Sequence, residues 1–522
     1  MMSFDVLAQA LGNVLQFGVL MAILLGAAYG LFVGALPGLT ATMATALLVP
    51  LTFYLDPLPA VALIVSSTAM AITAGDIPGA LLRIPGTPAS AAYTDEAYAM
   101  TRNGRASEVL SLGFFFSAIG GLVGAMVLLI TGPLLARVSL NFSSFEFFWL
   151  ACLGLLTCAL VSSSAPAKGG VSLTLGLLVS TVGLDVTTGQ PRFTFGSIEL
   201  VGGVSFIPVM IGMFAVSEVL RGLSGGAEAM PRPPKGEVYR PYIGMFALLK
   251  RYPFSVLRGT SLGAAIGALP GVGGDLAAWI AYGMSRRFSR TPEKFGTGHP
   301  EGLIEATSSN NAGLSSAWIP ALVFGIPGDA VTAIAVGVLF MKGVAPGPRL
   351  FVENPVMPTS IIMCFFIANL LLFPLGYVAI KAARHVLSVP RAVIVPMILV
   401  CCFIGSFAVN NALFGVWTML VAGLVGYVME RNQYPIAPVI LGLVLGPVLE
   451  RNFISSMQIS HGNLLGFFER PVSAVLGVIV CSILLLTFAR SLLRKPTPVA
   501  PNAVTPDAVS TGTSPLQKGP SK

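Results

Sequence analysis

Charge is what this 522-residue chain has least of. Asp, Glu, Lys and Arg make up only 10% of it, against 55% hydrophobic residues, and the mean hydropathy is +0.84. A soluble domain carries roughly 25% charged residues, so a water-soluble globular protein is excluded and a polytopic membrane protein remains. Histidine is almost absent: His299, His385 and His461 lie far apart, with no metal-ligand spacing. The six cysteines (Cys152, Cys158, Cys364, Cys401, Cys402 and Cys481) sit in apolar runs and form no CxxC, so they read as small core residues. No HExxH, GxSxG, GKS or GKT phrase occurs. Gly271-Val272-Gly273-Gly274 is glycine-rich, but no strand pattern precedes it, which argues against a nucleotide site. These absences leave no catalytic residue and no organic cofactor to expect. The net charge of +8 comes from residues clustered in short connections. Such clusters set membrane topology and do not make a nucleic-acid surface. Residues 1–16 lack a basic n-region and a small-residue cleavage site, so they read as part of an uncleaved first span.

What the apolar runs do contain is glycine and proline, 58 and 38 in all. The phrase Gly34-Ala35-Leu36-Pro37-Gly38 returns 233 positions later as Gly267-Ala268-Leu269-Pro270-Gly271. Ile77-Pro78 followed by Ile84-Pro85-Gly86 returns 242 positions later as Ile319-Pro320 and Ile326-Pro327-Gly328. Proline and glycine break helices and free backbone polar groups that lipid cannot satisfy. Interrupted segments at matching places in two halves are the best sequence pointer to a transporter binding site.

Spans of about 20 apolar residues are expected near 14–36, 57–74, 109–135, 145–163, 169–184 and 200–220. In the second half they fall near 254–269, 304–324, 326–341, 359–380, 392–409, 413–428, 436–449 and 472–488. Shorter apolar pieces lie at 39–55 and 276–284, and 77–92, too short and too rich in Pro and Gly for a normal span, reads as a re-entrant or broken element in preference to a surface loop. The expectation is an all-α polytopic membrane protein of two structural repeats, with about 10–12 membrane elements. Repeat 1 would occupy 1–220 and repeat 2 would occupy 253–490. A basic cytoplasmic linker, 221–252, joins them, and a disordered tail covers 491–522. The basic loops point to an N-out, C-in topology.

The breaks carry the candidate site. A helix starting after Pro37-Gly38 offers unpaired N–H groups and partial positive charge, with the Thr40 and Thr42 hydroxyls nearby, a combination suited to a carboxylate. After the second break, Gly271, Gly273 and Asp275 could hold a coupling cation; Asp275 could equally cap its helix. In the second phrase Arg83 could clamp a carboxylate, snorkel, or pair with Asp76. Gly86 and Thr87 follow it, matched in the second half by Gly328 and Asp329, a further cap or cation ligand. Within Ser308-Ser309-Asn310-Asn311, Asn310 and Asn311 offer amide donors and neutral oxygens, or simply cap and join helices. Asp95 and Glu96 read as solvated. Sodium or a proton is the candidate coupling ion, and no other metal is expected.

These phrases, taken together, resemble the large membrane subunit of the tripartite tricarboxylate transporter family. The resemblance runs through Gly34 to Thr42, Ile84-Pro85-Gly86-Thr87-Pro88-Ala89, Arg102-Asn103-Gly104-Arg105-Ala106 and Gly267 through Gly283. It continues through Pro292-Glu293-Lys294-Phe295-Gly296, Glu301-Gly302, Asn310-Asn311-Ala312 and Gly325 to Ala333. Family members often carry Tyr-Gly-Gly-Ser and an Asn where this chain has Ala74-Gly75-Asp76-Ile77 and Arg83, Asp-Gly-Tyr-Pro where it has Glu96-Ala97-Tyr98-Ala99, and a Glu where it has Thr307. The resemblance implies a multi-pass permease of the bacterial inner membrane. It also implies two partners, a small four-span membrane subunit and a periplasmic solute-binding protein. Its solutes would be small di- or tricarboxylate-like organic anions, imported on a cation gradient. The alternative reading is an ion-translocating membrane subunit of an enzyme complex, such as a decarboxylase pump. A homo-oligomer is left open.

Overall fold

The computed structural model describes residues 3–37, 39–161, 166–185, 188–224, 240–387, 391–409 and 411–493. They form helices joined by short turns. In the first half these are α1 (Phe4–Val14), α2 (Phe17–Gly34), α3 (Ala41–Thr52), α4 (Pro57–Ala74), α5 (Asp76–Leu82) and α6 (Thr94–Arg102). Then come α7 (Ala106–Ser139), α8 (Ser144–Val161), α9 (Pro166–Ser180), α10 (Phe206–Ile211) and α11 (Ser217–Ser224). A small antiparallel hairpin, β1 (Gly183–Leu184) with β2 (Pro191–Arg192), pairs Gly183 with Arg192. The second half runs α12 (Met245–Arg251), α13 (Pro253–Gly267), α14 (Gly273–Phe288), α15 (Pro300–Ser316), α16 (Trp318–Phe324) and α17 (Ala330–Met341). It ends with α18 (Leu350–Glu353), α19 (Val356–Val386), α20 (Arg391–Ala408), α21 (Leu413–Arg431), α22 (Ala437–Ile459) and α23 (Pro471–Leu493).

Seven helical stretches among the described residues are long and apolar enough to cross a membrane, and four shorter apolar helices accompany them. The protein is therefore an all-α polytopic membrane protein. Its lipid face is legible on α21, where Leu413, Trp417, Val421, Leu424 and Val428 are exposed at helical spacing. The opposite extreme is α15, buried from Glu301 to Ser316 although it carries Thr307, Ser308, Ser309, Asn310, Asn311, Ser315 and Ser316. Helix α4 is buried from Ala60 to Ala74.

Those two helices are gripped by glycine. On α2, Gly26, Gly30 and Gly34 face the backbone carbonyls of Leu63, Ser67 and Ala71 of α4, and a Cβ at any of them would sit under 3.0 Å from that oxygen. On α13, Gly259, Gly263 and Gly267 face the carbonyls of Glu305, Ser309 and Gly313 of α15 in the same way. Without a hydrophobic force between helices in lipid, such close backbone approach supplies the packing. Both glycine-bearing helices end at a Pro-Gly break, so the grip fixes where each break sits.

Several boundaries differ from the expected spans. The run 14–36 is helix α2 from Phe17 to Gly34, preceded across Leu15 and Gln16 by a separate helix, α1, that ends at Val14. The run 304–324 divides between α15 and α16, because Pro320 cannot continue the ladder. The 77–92 piece is α5 and a 3-10 turn at Ser90–Ala92. A π-helical turn, Gly212–Val216, links α10 to α11. Arg221, assigned to the linker, lies within α11, and residues 225–239 of that linker lie outside the described residues. The expected tail, 491–522, lies outside them from 494 onward, and its first three residues, 491–493, are helical as the end of α23. Residues up to Val480 form one compact unit; a second begins at Cys481 and is described to Leu493, as helix.

Candidate functional site

Three helix N-termini meet at one cavity of about 490 Å³. The first belongs to α3: Thr40 is extended, and its Oγ1 accepts a hydrogen bond from the Met43 N–H at 3.2 Å. That bond satisfies one of the first-turn donors and leaves others pointing outward. Thr40, Ala41 and Thr42 all line the cavity.

The second N-terminus belongs to α14. Gly271 (φ +79) and Gly273 (φ +71) are left-handed, which a side chain would resist. A Cβ on Gly271 would strike the Gly154 carbonyl of α8, and one on Gly273 would come 2.9 Å from the Cβ of Asp329. Thr157 of α8 donates to the Pro270 carbonyl, holding the break against that helix. Asp275 is the third residue of α14, whose N-cap position is Val272. It therefore does not serve as the N-cap, and its side chain is exposed into the cavity.

The third N-terminus belongs to α17. Asp329 caps it through a reciprocal pair: the Thr332 N–H donates to Oδ1 at 2.7 Å, and the Asp329 N–H donates to Thr332 Oγ1 at 2.8 Å. Asp329 lines the cavity and lies near enough to Asp275 for their charges to interact.

Between these ends lie Thr87 and Asn310. Thr87 and Ser90 exchange hydrogen bonds, each hydroxyl accepting from the other's N–H at 3.0 Å. Asn310 is buried at 2% exposure, and its Oδ1 has no hydrogen-bond partner. A buried carbonyl oxygen left unpaired costs about 1–3 kcal/mol, which a donor arriving in the cavity would relieve. Trp279 of α14 closes one wall, its indole N–H donating to the Pro88 carbonyl at 3.0 Å.

The cavity thus gathers Thr40, Thr42, Thr87, Asn310, Gly271, Gly273, Asp275 and Asp329 from the expected set. Gly38 lies outside the described residues. Arg83 does not line the cavity. It ends α5 in the left-handed conformation (φ 62), and its Nε donates to Asp95 at 2.8 Å, both side chains exposed. Gly86 packs on Gly75, and Gly328 packs on Ala317, so both serve close chain contact away from the lining. Asn311 is one residue, hence about 100°, around the helix from Asn310. It donates to Thr73 Oγ1 at 3.1 Å and joins α15 to α4.

Sequence reasoning missed Glu218, Arg221 and Glu430, which also line the cavity. Arg221 pairs with Glu218 and lies 3.9 Å from Glu430. They sit at polar helix ends, where a basic residue reads as topology control. Glu96 was expected in solvent, yet it is 1% exposed. Its carboxylate accepts from the N–H groups of Gly296, Gly298 and His299 and from the Tyr282 hydroxyl, which binds the start of α6 to the loop before α15. Among the described residues no group of three or more His, Cys, Asp or Glu could hold a metal ion. Outside the spans, bonds to Glu450 hold the Arg192 guanidinium above its ordinary pKa.

Comparison with known proteins bears on this arrangement. The model of the tripartite tricarboxylate transporter TctA family matches residues 20–441. An uncharacterised 52.8 kDa protein in the TAR-I ttuC' 3'region of Agrobacterium vitis is 35% identical over 474 residues, 90% of this chain and 93% of that protein. An uncharacterised protein in the TAR-II ttuC' 3'region of the same organism is 37% identical over 226 residues, 43% of this chain and 93% of that protein. No solved structure matches the chain.

Proposed function

The chain belongs to the tripartite tricarboxylate transporter TctA family, a transporter subunit family, and from that premise we propose that it imports small organic anions on a cation gradient. As a member it is a multi-pass protein of the bacterial inner membrane that works with partner subunits. The finer reading is ours. The solute is a di- or tricarboxylate-like anion, delivered by a periplasmic binding protein, and a small four-span subunit completes the permease. Carboxylate groups sit against the N-termini of α3, α14 and α17, with Thr40, Thr42, Thr87 and Asn310 completing the hydrogen bonds. The coupling cation, sodium or a proton, is held by Asp275 and Asp329 with the Gly271–Gly273 backbone.

The convergence of three helix N-termini on one cavity carries this reading. Each offers unpaired N–H donors and partial positive charge, worth roughly 0.3–1 kcal/mol per charge when exposed and up to ~2 when partly buried. Asp275 and Asp329, in a cavity that Glu218 and Glu430 also line beside Arg221, repel an anion unless a cation accompanies it. That conflict is what obligatory co-transport resolves: the cation enters with the anion and each makes room for the other.

The two halves also read as a duplicated unit. The glycines at 26, 30 and 34 and those at 259, 263 and 267 meet equivalent carbonyls. Left-handed Arg83 and Gly325 end α5 and α16, and Ile84 N–H to Pro78 O is mirrored by Ile326 N–H to Pro320 O. The test is reconstitution of the three subunits in vesicles, with labelled citrate and succinate as probes under imposed sodium or proton gradients. Gradient-dependent uptake that needs the binding protein is expected; uptake indifferent to every gradient would end the co-transport reading.

A further inference from the structure

A second carboxylate site lies behind the cavity and belongs to neither the solute nor the cation assignments above. Asp76 opens α5 and is buried at 8% exposure. Its Oδ1 accepts the Tyr93 hydroxyl at 2.7 Å, and its Oδ2 faces Gly113 of α7, where a Cβ would come within 2.9 Å. Tyr93 is itself 2% exposed. No cation answers this carboxylate among the described residues. Helix α4 and the turn at Ser90–Ala92 carry no charged residue. On α6, Asp95 is paired with Arg83, Glu96 is held by the 296–299 backbone, and Arg102 is exposed. On α7, Glu108 is paired with Arg105, and Arg137 lies in the last turn of the helix. Asp275, across Tyr93, adds only negative charge.

An ionised carboxylate so placed, with one neutral donor and no counter-charge, is costly, and such a group takes up a proton instead. A route to it exists. The Tyr93 hydroxyl also meets the Asn310 side-chain amide, and Asn310 lines the cavity. Asp76, Tyr93 and Asn310 therefore form one polar file, from a buried carboxylate to the solute cavity.

We propose that Asp76 is a proton-binding site loaded from the cavity through Tyr93. When Asp76 is ionised, the Tyr93 hydroxyl donates to it. Loading moves one proton: Tyr93 passes its hydroxyl proton to Asp76 Oδ1 as a hydronium ion that has come from the cavity past the Asn310 side chain gives its own proton to the Tyr93 oxygen. The products are a neutral carboxyl, an unchanged tyrosine and a water molecule, and no electrons are exchanged. Release reverses the same path. Proton binding stands on the Asp76 surroundings alone; its use in coupling rests on the transport reading above.

Infrared difference spectra of the full chain in lipid vesicles, taken between neutral and acidic pH, test the binding step. The wild type should gain a protonated-carboxyl carbonyl band that Asp76→Asn lacks and Asp76→Glu restores. Tyr93→Phe should shift that band to higher frequency, because a hydrogen bond is lost. That shift keeps the proposal testable if Asp76→Asn does not fold. An Asp76→Asn difference spectrum that superimposes on the wild type overturns the site. Citrate uptake by the three-subunit vesicles under a pH gradient tests coupling separately. Loss of the pH-gradient dependence in Asp76→Asn supports it, and persistence refutes it. A wild type that moves no probe under any gradient would count against the transport reading and leave the proton site standing on its spectra.

Discussion

Replacing Gly30 by alanine is the sharpest perturbation of the scaffold. A Cβ there would fall under 3.0 Å from the Ser67 carbonyl oxygen, which belongs to backbone and cannot rotate away. Ordinary contact begins near 3.4 Å, so α2 and α4 must separate by about 1 Å, a strain of the size that costs roughly 1–3 kcal/mol when a packed interior is overfilled. The intrinsic gain of alanine over glycine in a helix, about 1 kcal/mol, offsets only part of it. The displacement also reaches the cavity, because α2 ends four residues later at Gly34 and α3 starts at Ala41. Gly263→Ala should act equally, since its Cβ would meet the Ser309 carbonyl of α15. Gly170→Ala is the control, a helical position with nothing within 4 Å. The assay is thermal unfolding of the purified protein beside uptake in vesicles. Both tight-site variants should melt several degrees lower and transport poorly, while Gly170→Ala stays at or slightly above the wild type. A Gly30→Ala protein that melts and transports like the Gly170→Ala control would refute the reasoning.

Other substitutions address the site. Asp329→Asn keeps an N-cap acceptor but removes the charge, so stability should hold within about 0.5 kcal/mol while cation-dependent uptake is lost. Asp329→Ala should lose both, and a thermal melt beside an ion-titrated uptake curve separates the two. Thr40→Val should cost about 1 kcal/mol of capping and raise the half-saturating solute concentration; an unchanged value would remove Thr40 from the site. Arg83→Gly replaces a left-handed arginine and an exposed ion pair worth about 0–1 kcal/mol. It should stabilise the protein slightly and leave uptake unchanged, so a loss of solute affinity would return Arg83 to the site. Glu96→Gln should lower the melting temperature clearly, because one amide cannot accept every bond that the carboxylate takes from Gly296, Gly298, His299 and Tyr282.

The breaks were legible because proline and glycine are costly in an apolar helix and rarely kept without use. From them the sequence led to Thr40, Thr42, Thr87, Asp275, Asp329 and Asn310, which the fold brings to one cavity. Which residue of a polar pair faces inward was not legible. Asn310 and Asn311 are neighbours in sequence, yet one lines the cavity and the other bonds to Thr73, and only packing of α15 on α4 decides between them. Arg83 misled because an arginine in an apolar segment suggests a ligand; its left-handed backbone at the end of α5 instead turns it toward Asp95. Glu96 was hidden for the opposite reason, since polar surroundings in sequence concealed burial produced by partners about 200 residues away; Arg221 stays exposed, and it is the Glu430 carboxylate of α21, 3.9 Å away, that shares the cavity wall with it.

The glycine grips also decide where the molecule can come apart. Backbone lies on backbone between α2 and α4 and again between α13 and α15. Neither pair can tilt without opening a void along its whole length, so each behaves as a stiff girder. The α13–α15 girder is also fixed to the first half, where Gly120 and Gly124 of α7 face the Ser308 and Ala312 carbonyls of α15. The joint between the two girders themselves is of another kind. There Asn311 meets Thr73 at 3.1 Å, a hydrogen bond worth about 1 kcal/mol. Any parting of the two girders would therefore follow the side-chain seam of α15 with α4, leaving α7 on the α15 side, and Asn310 stands where that seam meets the cavity.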